Sequence, residues 1–300
     1  MTEMILALRT AAYRREVALE LEPDTPRIPL VGSASMDAPP DVLAATARRA
    51  LGVSLEMQMA WTGSHTPLNG WKNAVEALGV LVFHYSDVAV DEVRGFSFGE
   101  PILPVIALNG SDTVNGRIFT LAHELTHLYL GEGASCDLGA LTHPARDTAP
   151  AETYCNAVAG ALLVPRDALL ADPAVNDARH STEWPNVELE RLARRFRVSR
   201  EVILRRLLAV GKTDIDIYRR YREDLLTLPP PSEEGGGRIP RAVMVVRDVG
   251  KPFARMVLDA YHADAISAAD VSDFLNVRLK HLARIEARLA GRDVLTGSAP

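Results

Sequence analysis

Three hundred residues, 47% of them apolar and 24% charged, suffice for two or three compact units with a real core. A formal charge of −6 at pH 7 argues against whole-surface attraction to nucleic acid, though not against a local basic patch. The two cysteines, Cys136 and Cys155, show neither a disulfide framework nor CxxC spacing, which fits a reducing compartment.

The first ten residues carry no basic leader before an apolar core and no cleavage signature, and no apolar run is long enough to span a bilayer. A cytoplasmic protein without membrane contact is expected. Residues 1–22 are rich in Ala, Leu, Arg and Glu and end before Pro23, which predicts a helix. A Pro-rich loop through Pro40 precedes a second helix from Asp41 to Leu51, with Asp41 as a first-turn acid or cap. Residues 1–60 show no convincing DNA-binding helix-turn-helix. We therefore take residues 1–63 as a helical N-terminal extension that is structural padding.

A helix from Leu68 to Leu78 leads into Gly79–His84, an apolar, β-branched run expected to be a strand. With a turn near Asp87, the segments Arg94–Phe98 and Ile102–Leu108 complete a small sheet. Short strands clustered before helices indicate α+β architecture rather than a repeated βαβ sheet.

The segment Phe119-Thr-Leu-Ala-His123-Glu124-Leu-Thr-His127-Leu-Tyr-Leu-Gly131 spells H-E-x-x-H on a helix with an apolar side and a glycine stop. Histidines four apart project from one face, so His123 and His127 can supply two of the three ligands of a catalytic zinc, leaving the fourth position for water. Glu124 is then placed to act on that water as general base.

A third ligand must come from elsewhere, and Ala151–Pro165, a small-residue apolar helix ended by Pro165, is the best source. Glu152 can ligate, and Asn156, one turn on, can orient a ligating group by a hydrogen bond. These residues alone leave open that Glu152 is a solvated first-turn acid favoured by the helix dipole. A peptide oxyanion also needs a donor beside the metal, for which Tyr154 and His143 are nearest in sequence. Tyr154 reads more readily as a partly buried aromatic, and His143 and His180 as exposed loop residues. Cys155 reads as a small core residue, and neither cysteine is assigned a role.

Val187–Gly211 reads as helix, short turn and second helix, the latter capped by Ser199, with apolar Val202, Ile203 and Leu207 and with Arg200, Arg205 and Arg206 decorating it. The basic run Arg191–Arg206 is either a recognition helix for DNA or part of a helical subdomain that packs on the preceding domain and shapes its cleft. Pro229–Gly237 has linker composition. Beyond it a strand at Ala242–Val246, helices near Phe253–Tyr261 and Val277–Leu289 and a capped helix between them are expected. That module could serve docking, sensing or dimerisation. The boundaries so drawn are 1–63, 64–185, 186–228, 229–238 and 239–300.

Together, F-T-L-A-H-E-L-T-H-L and E-x-x-x-N-A-x-A-x-x-L-L-V-P resemble the ImmA/IrrE family of intracellular metallopeptidases. Arg94-Gly-Phe-Ser97, Pro104-Val-Ile-Ala-Leu-Asn109 and the helix-turn-helix-like segment extend the resemblance from about Leu68 to about Leu226. It implies a zincin-like core with a small sheet, followed by a helix-turn-helix-like subdomain. It implies one Zn2+ on His123, His127 and Glu152, with Glu124 catalytic; His and carboxylate ligands also accept other divalent ions. Val158 stands where the family usually has an aromatic. The implied activity is cleavage of a partner protein, typically a helix-turn-helix repressor, which would derepress a stress, phage or mobile-element response. Direct DNA binding is not favoured. The rival readings are a DNA-binding regulator and an antitoxin-like interaction protein with a non-catalytic zinc site; an intact Glu124 argues against both.

Overall fold

The computed structural model describes residues 2–131, 150–180, 183–227 and 239–291. It is α+β and mostly helical, built around one three-stranded sheet. Strands β1 (Leu81–Tyr85), β2 (Gly95–Phe98) and β3 (Val105–Asn109) lie in the order β1-β3-β2. β1 runs parallel to β3, with Leu81 opposite Val105, and β2 runs antiparallel, with Phe98 opposite Val105. β3 starts three residues later than the sequence suggests, because Leu103 turns the chain at φ 48° and the side chain of Arg15 takes the carbonyls of Ile102 and Leu103.

Both faces of the sheet are covered, which explains strands that are apolar throughout instead of alternating. On one face Val82, Ile106 and Leu108 join a core with α2 (Pro40–Leu51), α4 (Thr66–Ala77), α5 (Val114–Leu130) and α6 (Pro150–Leu163). The short α3 (Leu55–Ala60) lies between α2 and α4, and α7 (Arg166–Leu170) and α8 (Pro173–Asn176) lead from α6 to α9 (Asn186–Phe196), α10 (Arg200–Ala209) and α11 (Ile215–Thr227). Gln58, fully buried on α3, donates to the carbonyls of Leu163 and Phe196 and so ties the ends of α6 and α9 together.

On the other face Leu81, Phe83, Val105 and Ala107 pack against α1 (Thr2–Leu21), α12 (Arg241–Val249) and α13 (Lys251–His262). α14 (Ala268–Phe274) and α15 (Leu282–Leu289) close this second core. The first helix is part of this core: Met4, Leu8, Ala11, Val17 and Ala18 are all buried within it.

Two expectations for the C-terminal region are corrected. The strand expected at Ala242–Val246 is helix α12. Its β-branched valines suggested a strand, but Ala242, Val245, Val246 and Val249 fall at helical spacing and are the residues buried. The helix expected from Val277 begins only at Leu282, after a 3₁₀ turn at Leu279–His281. Asn276, at φ 47°, reverses the chain so that Val277 donates to Ser272 and enters the core. The helix capped by Ser267 is present with a reciprocal Ser267–Asp270 capping box.

A buried polar joint fastens α12 to the sheet. The carbonyl of Arg247 accepts from Lys72 Nζ at 2.7 Å and from His84 Nδ1 at 2.8 Å. Burial, reinforced by the positive charge of Lys72, holds His84 well below the usual histidine range, so the ring is neutral with its proton on Nδ1.

Candidate metal centre

Helix α5 is fixed at both ends. Thr113 Oγ1 accepts from Gly116 N at 3.0 Å, and Gly131 stops the helix in the left-handed region at φ 72°. A loop from the N-terminal region completes the C-terminal cap, with Gly32 N and Ala34 N donating to the Leu128 and Tyr129 carbonyls at 3.0 and 2.9 Å. Ile118, Leu121, Leu125 and Leu128 anchor the helix in the first core and turn the two histidines toward α6.

Three ligand atoms converge there. His123 Nε2 and His127 Nε2 are 3.1 Å apart, and Glu152 on α6 brings Oε2 to 3.2 Å from His123 and Oε1 to 3.5 Å from His127. A tetrahedral centre with bonds of about 2.0–2.1 Å has ligand–ligand edges of roughly 3.3 Å. The donor set therefore fits a zinc-sized ion in type, number and spacing.

The electrostatics agree. Burial raises Glu152, but its contacts with His123 and His127 outweigh that and hold the carboxyl well below the usual range. Burial pulls His127 down, yet the neighbouring Cys155 thiol, Glu152 and the charge of Glu124 push it up to about 11. Both shifts follow from one carboxylate lying against two imidazoles, a donor set that a divalent cation would hold in its deprotonated form.

Glu124 is only 8% exposed and stands outside the converging trio. Its Oε2 accepts a 2.8 Å hydrogen bond from Ser97 Oγ on β2. β2 comes this close to α5 because residue 95 is glycine: a Cβ there would strike the Thr120 side chain and lie 3.0 Å from the Ala107 carbonyl. Sequence reading did not single out Ser97, although Arg94-Gly-Phe-Ser97 was the signal for it. We expect Ser97→Ala to lower kcat roughly ten- to a hundredfold, the size of effect seen when a hydrogen bond orienting an active-site group is lost. Steady-state kinetics at unchanged metal content checks this, and Ser97→Thr should restore most of the rate.

The other candidates separate. Asn156 lies one turn beyond Glu152, partly buried, and among the described residues makes no hydrogen bond to the three converging groups. The Tyr154 hydroxyl gives its proton to the Ala38 carbonyl at 2.9 Å, holding the N-terminal loop against α6. His143 and Cys136 lie outside the described residues. His180 Nδ1 is 3.2 Å from the Thr213 carbonyl, a local structural contact. Cys155 is buried, as its sequence context suggested.

The basic run Arg191–Arg206 is not a free stripe. Arg191 and Arg195 both bind Asp172, at 2.8 and 2.9 Å, and Arg194 pairs with Glu190. Arg206, expected to decorate α10, is 2% exposed; it donates to the Val164 carbonyl at 2.9 Å and pairs with Asp41 at 2.6 Å. Arg205 stacks between Phe119 and Tyr218, 5.6 and 5.7 Å from the ring centroids, and the Phe119 ring is itself 6.4 Å from that of His123.

Two imidazoles and a carboxylate converging beside a separate buried carboxylate could hold a single metal ion. Residues 75–208 match the model of the Peptidase M78 family, the IrrE N-terminal-like domain, and this part of the chain is similar to that domain. The match takes in the sheet, α5, α6 and the α9–α10 pair. No curated protein sequence matches the chain. Among the described residues no helix is long and apolar enough to cross a membrane.

Proposed function

We propose that the protein is an intracellular zinc-dependent endopeptidase that cleaves a partner protein, most plausibly a helix-turn-helix transcriptional repressor, and so releases a stress, phage or mobile-element response. The observation that carries the reading is the convergence of His123, His127 and Glu152 next to the buried Glu124. A divalent ion held by the three ligands would acidify a water molecule and polarise the scissile carbonyl. Glu124, steadied by Ser97, takes a proton from the attacking water as the new C–O bond forms. It then delivers that proton to the amide nitrogen as the C–N bond breaks, leaving a carboxylate and a free amine. Arg205, stacked on Phe119 and paired with Glu201, forms part of a wall near the histidines against which a substrate chain could lie.

The DNA-binding alternative draws little support from α10, whose Arg206 is buried and whose Arg205 is stacked. The test incubates zinc-loaded protein, and the same protein after chelation, with helix-turn-helix repressors encoded near its gene. Cleavage only by the loaded protein supports the peptidase. Loading without cleavage, in company with stable repressor binding, would replace it with the interaction-protein reading.

A further inference from the structure

We propose that the open cleft bordered by α12, α14 and α15 binds a small ligand carrying two or more phosphate groups. The cleft has a volume of about 1130 Å³ and is lined by four exposed cations, Arg241 at the start of α12 and Arg278, Lys280 and Arg284, together with His281. It lies outside the residues that match the peptidase family, and the proposed cleavage chemistry uses none of it.

Part of the positive charge of the chain is neutralised locally. Arginines 191, 194, 195, 206 and 220 are each tied to a carboxylate. Among the described residues, Arg278, Lys280 and Arg284 have no such partner, although the chain as a whole is acidic. Arg241 is held in place by its 2.7 Å bond to the Asn276 carbonyl, which leaves its positive charge uncompensated. Two acids also line the cleft. Asp270 is committed to the nitrogen and hydroxyl of Ser267, and Asp273 stands exposed. Four permanent cations against two carboxylates leave a net positive cleft. The ring of His281 is held below the ordinary histidine range by desolvation and by the positive charges of Lys280, Arg284, Arg241 and Arg278, so the four act on one place.

Unpaired guanidinium groups gathered around a concavity match phosphate oxygens, which accept two parallel N–H bonds from each arginine. Several cations along one cleft suit a ligand with more than one phosphate, and the exposed Ile239 gives apolar surface for the remainder. A long polyanion fits less well, since the groups surround a single cleft and the net charge of the protein is −6.

The experiment is calorimetric titration of the full-length protein with ATP, pyrophosphate, orthophosphate and a short single-stranded DNA. The double variant Arg278→Ala/Arg284→Ala is run beside it, its fold checked by circular dichroism, with Lys280→Gln as a milder second variant. The expected result is one-to-one binding of ATP or pyrophosphate at physiological salt, weakened about tenfold for each arginine removed and by less with Lys280→Gln. No saturable binding of either, or binding equal in the wild type and the double variant, would overturn the proposal. Saturable binding of the DNA alone, lost in the double variant, would overturn it in favour of a nucleic-acid contact.

Discussion

Glu124→Gln is expected to reduce cleavage by about 10²–10⁴-fold while the protein still takes up one metal ion per chain. The substitution keeps the shape of the side chain, and its amide oxygen can still accept from Ser97 Oγ. It cannot accept a proton from water. Because Glu124 stands outside the group formed by His123, His127 and Glu152, the metal should remain bound. The measurement pairs metal analysis of the purified variant with single-turnover cleavage of a repressor that the wild type cuts. Lost cleavage with metal retained identifies Glu124 as the base. Loss of both would show that Glu124 serves the integrity of the ligand set, and full activity would remove it from the chemistry.

The parts of this site that lie within one helix were legible in the sequence, because a spacing of four residues already places His123 and His127 on one face. Glu152 was legible only as a possibility. An acid in a first helical turn has an ordinary explanation, and only the packing of α6 on α5 brings its oxygens to within 3.5 Å of both rings. Ser97 needs a further step, the approach of a strand to a helix that the absent side chain of Gly95 permits.

The misreadings have physical causes as well. Arg206 counted as a surface cation because arginine usually is one. Yet it shares a helical face with Ile203 and Leu207, and Gly160 on α6 leaves room for its stem, with Cδ 3.2 Å from where a Cβ would stand. In α12 the run of valines outweighed the spacing of the buried positions. Intrinsic β preference is weak beside the gain from burying one continuous face, and here that face is helical.

Phe253→Ala is expected to cost about 3–5 kcal/mol of stability, the range for removing a fully buried aromatic ring. Phe253 on α13 is 0% exposed and meets Phe83 of β1 edge to face, with ring centroids 5.8 Å apart. It therefore joins the C-terminal helices to the strand that pairs with β3, whose other face supports α5. The three tryptophans offer an internal report, since Trp61, Trp71 and Trp184 all belong to the core on the metal-site side of the sheet and none to the side that holds Phe253. In urea, tryptophan fluorescence and helical circular dichroism should shift to a lower midpoint together, because damage to one face weakens a sheet shared by both. Phe253→Leu, which keeps most of the volume, should shift both by a smaller amount. If the fluorescence midpoint stayed in place while part of the helical signal melted early, residues 239–300 would fold as a unit of their own. The shared sheet would then be a docking surface between two domains and not the centre of one.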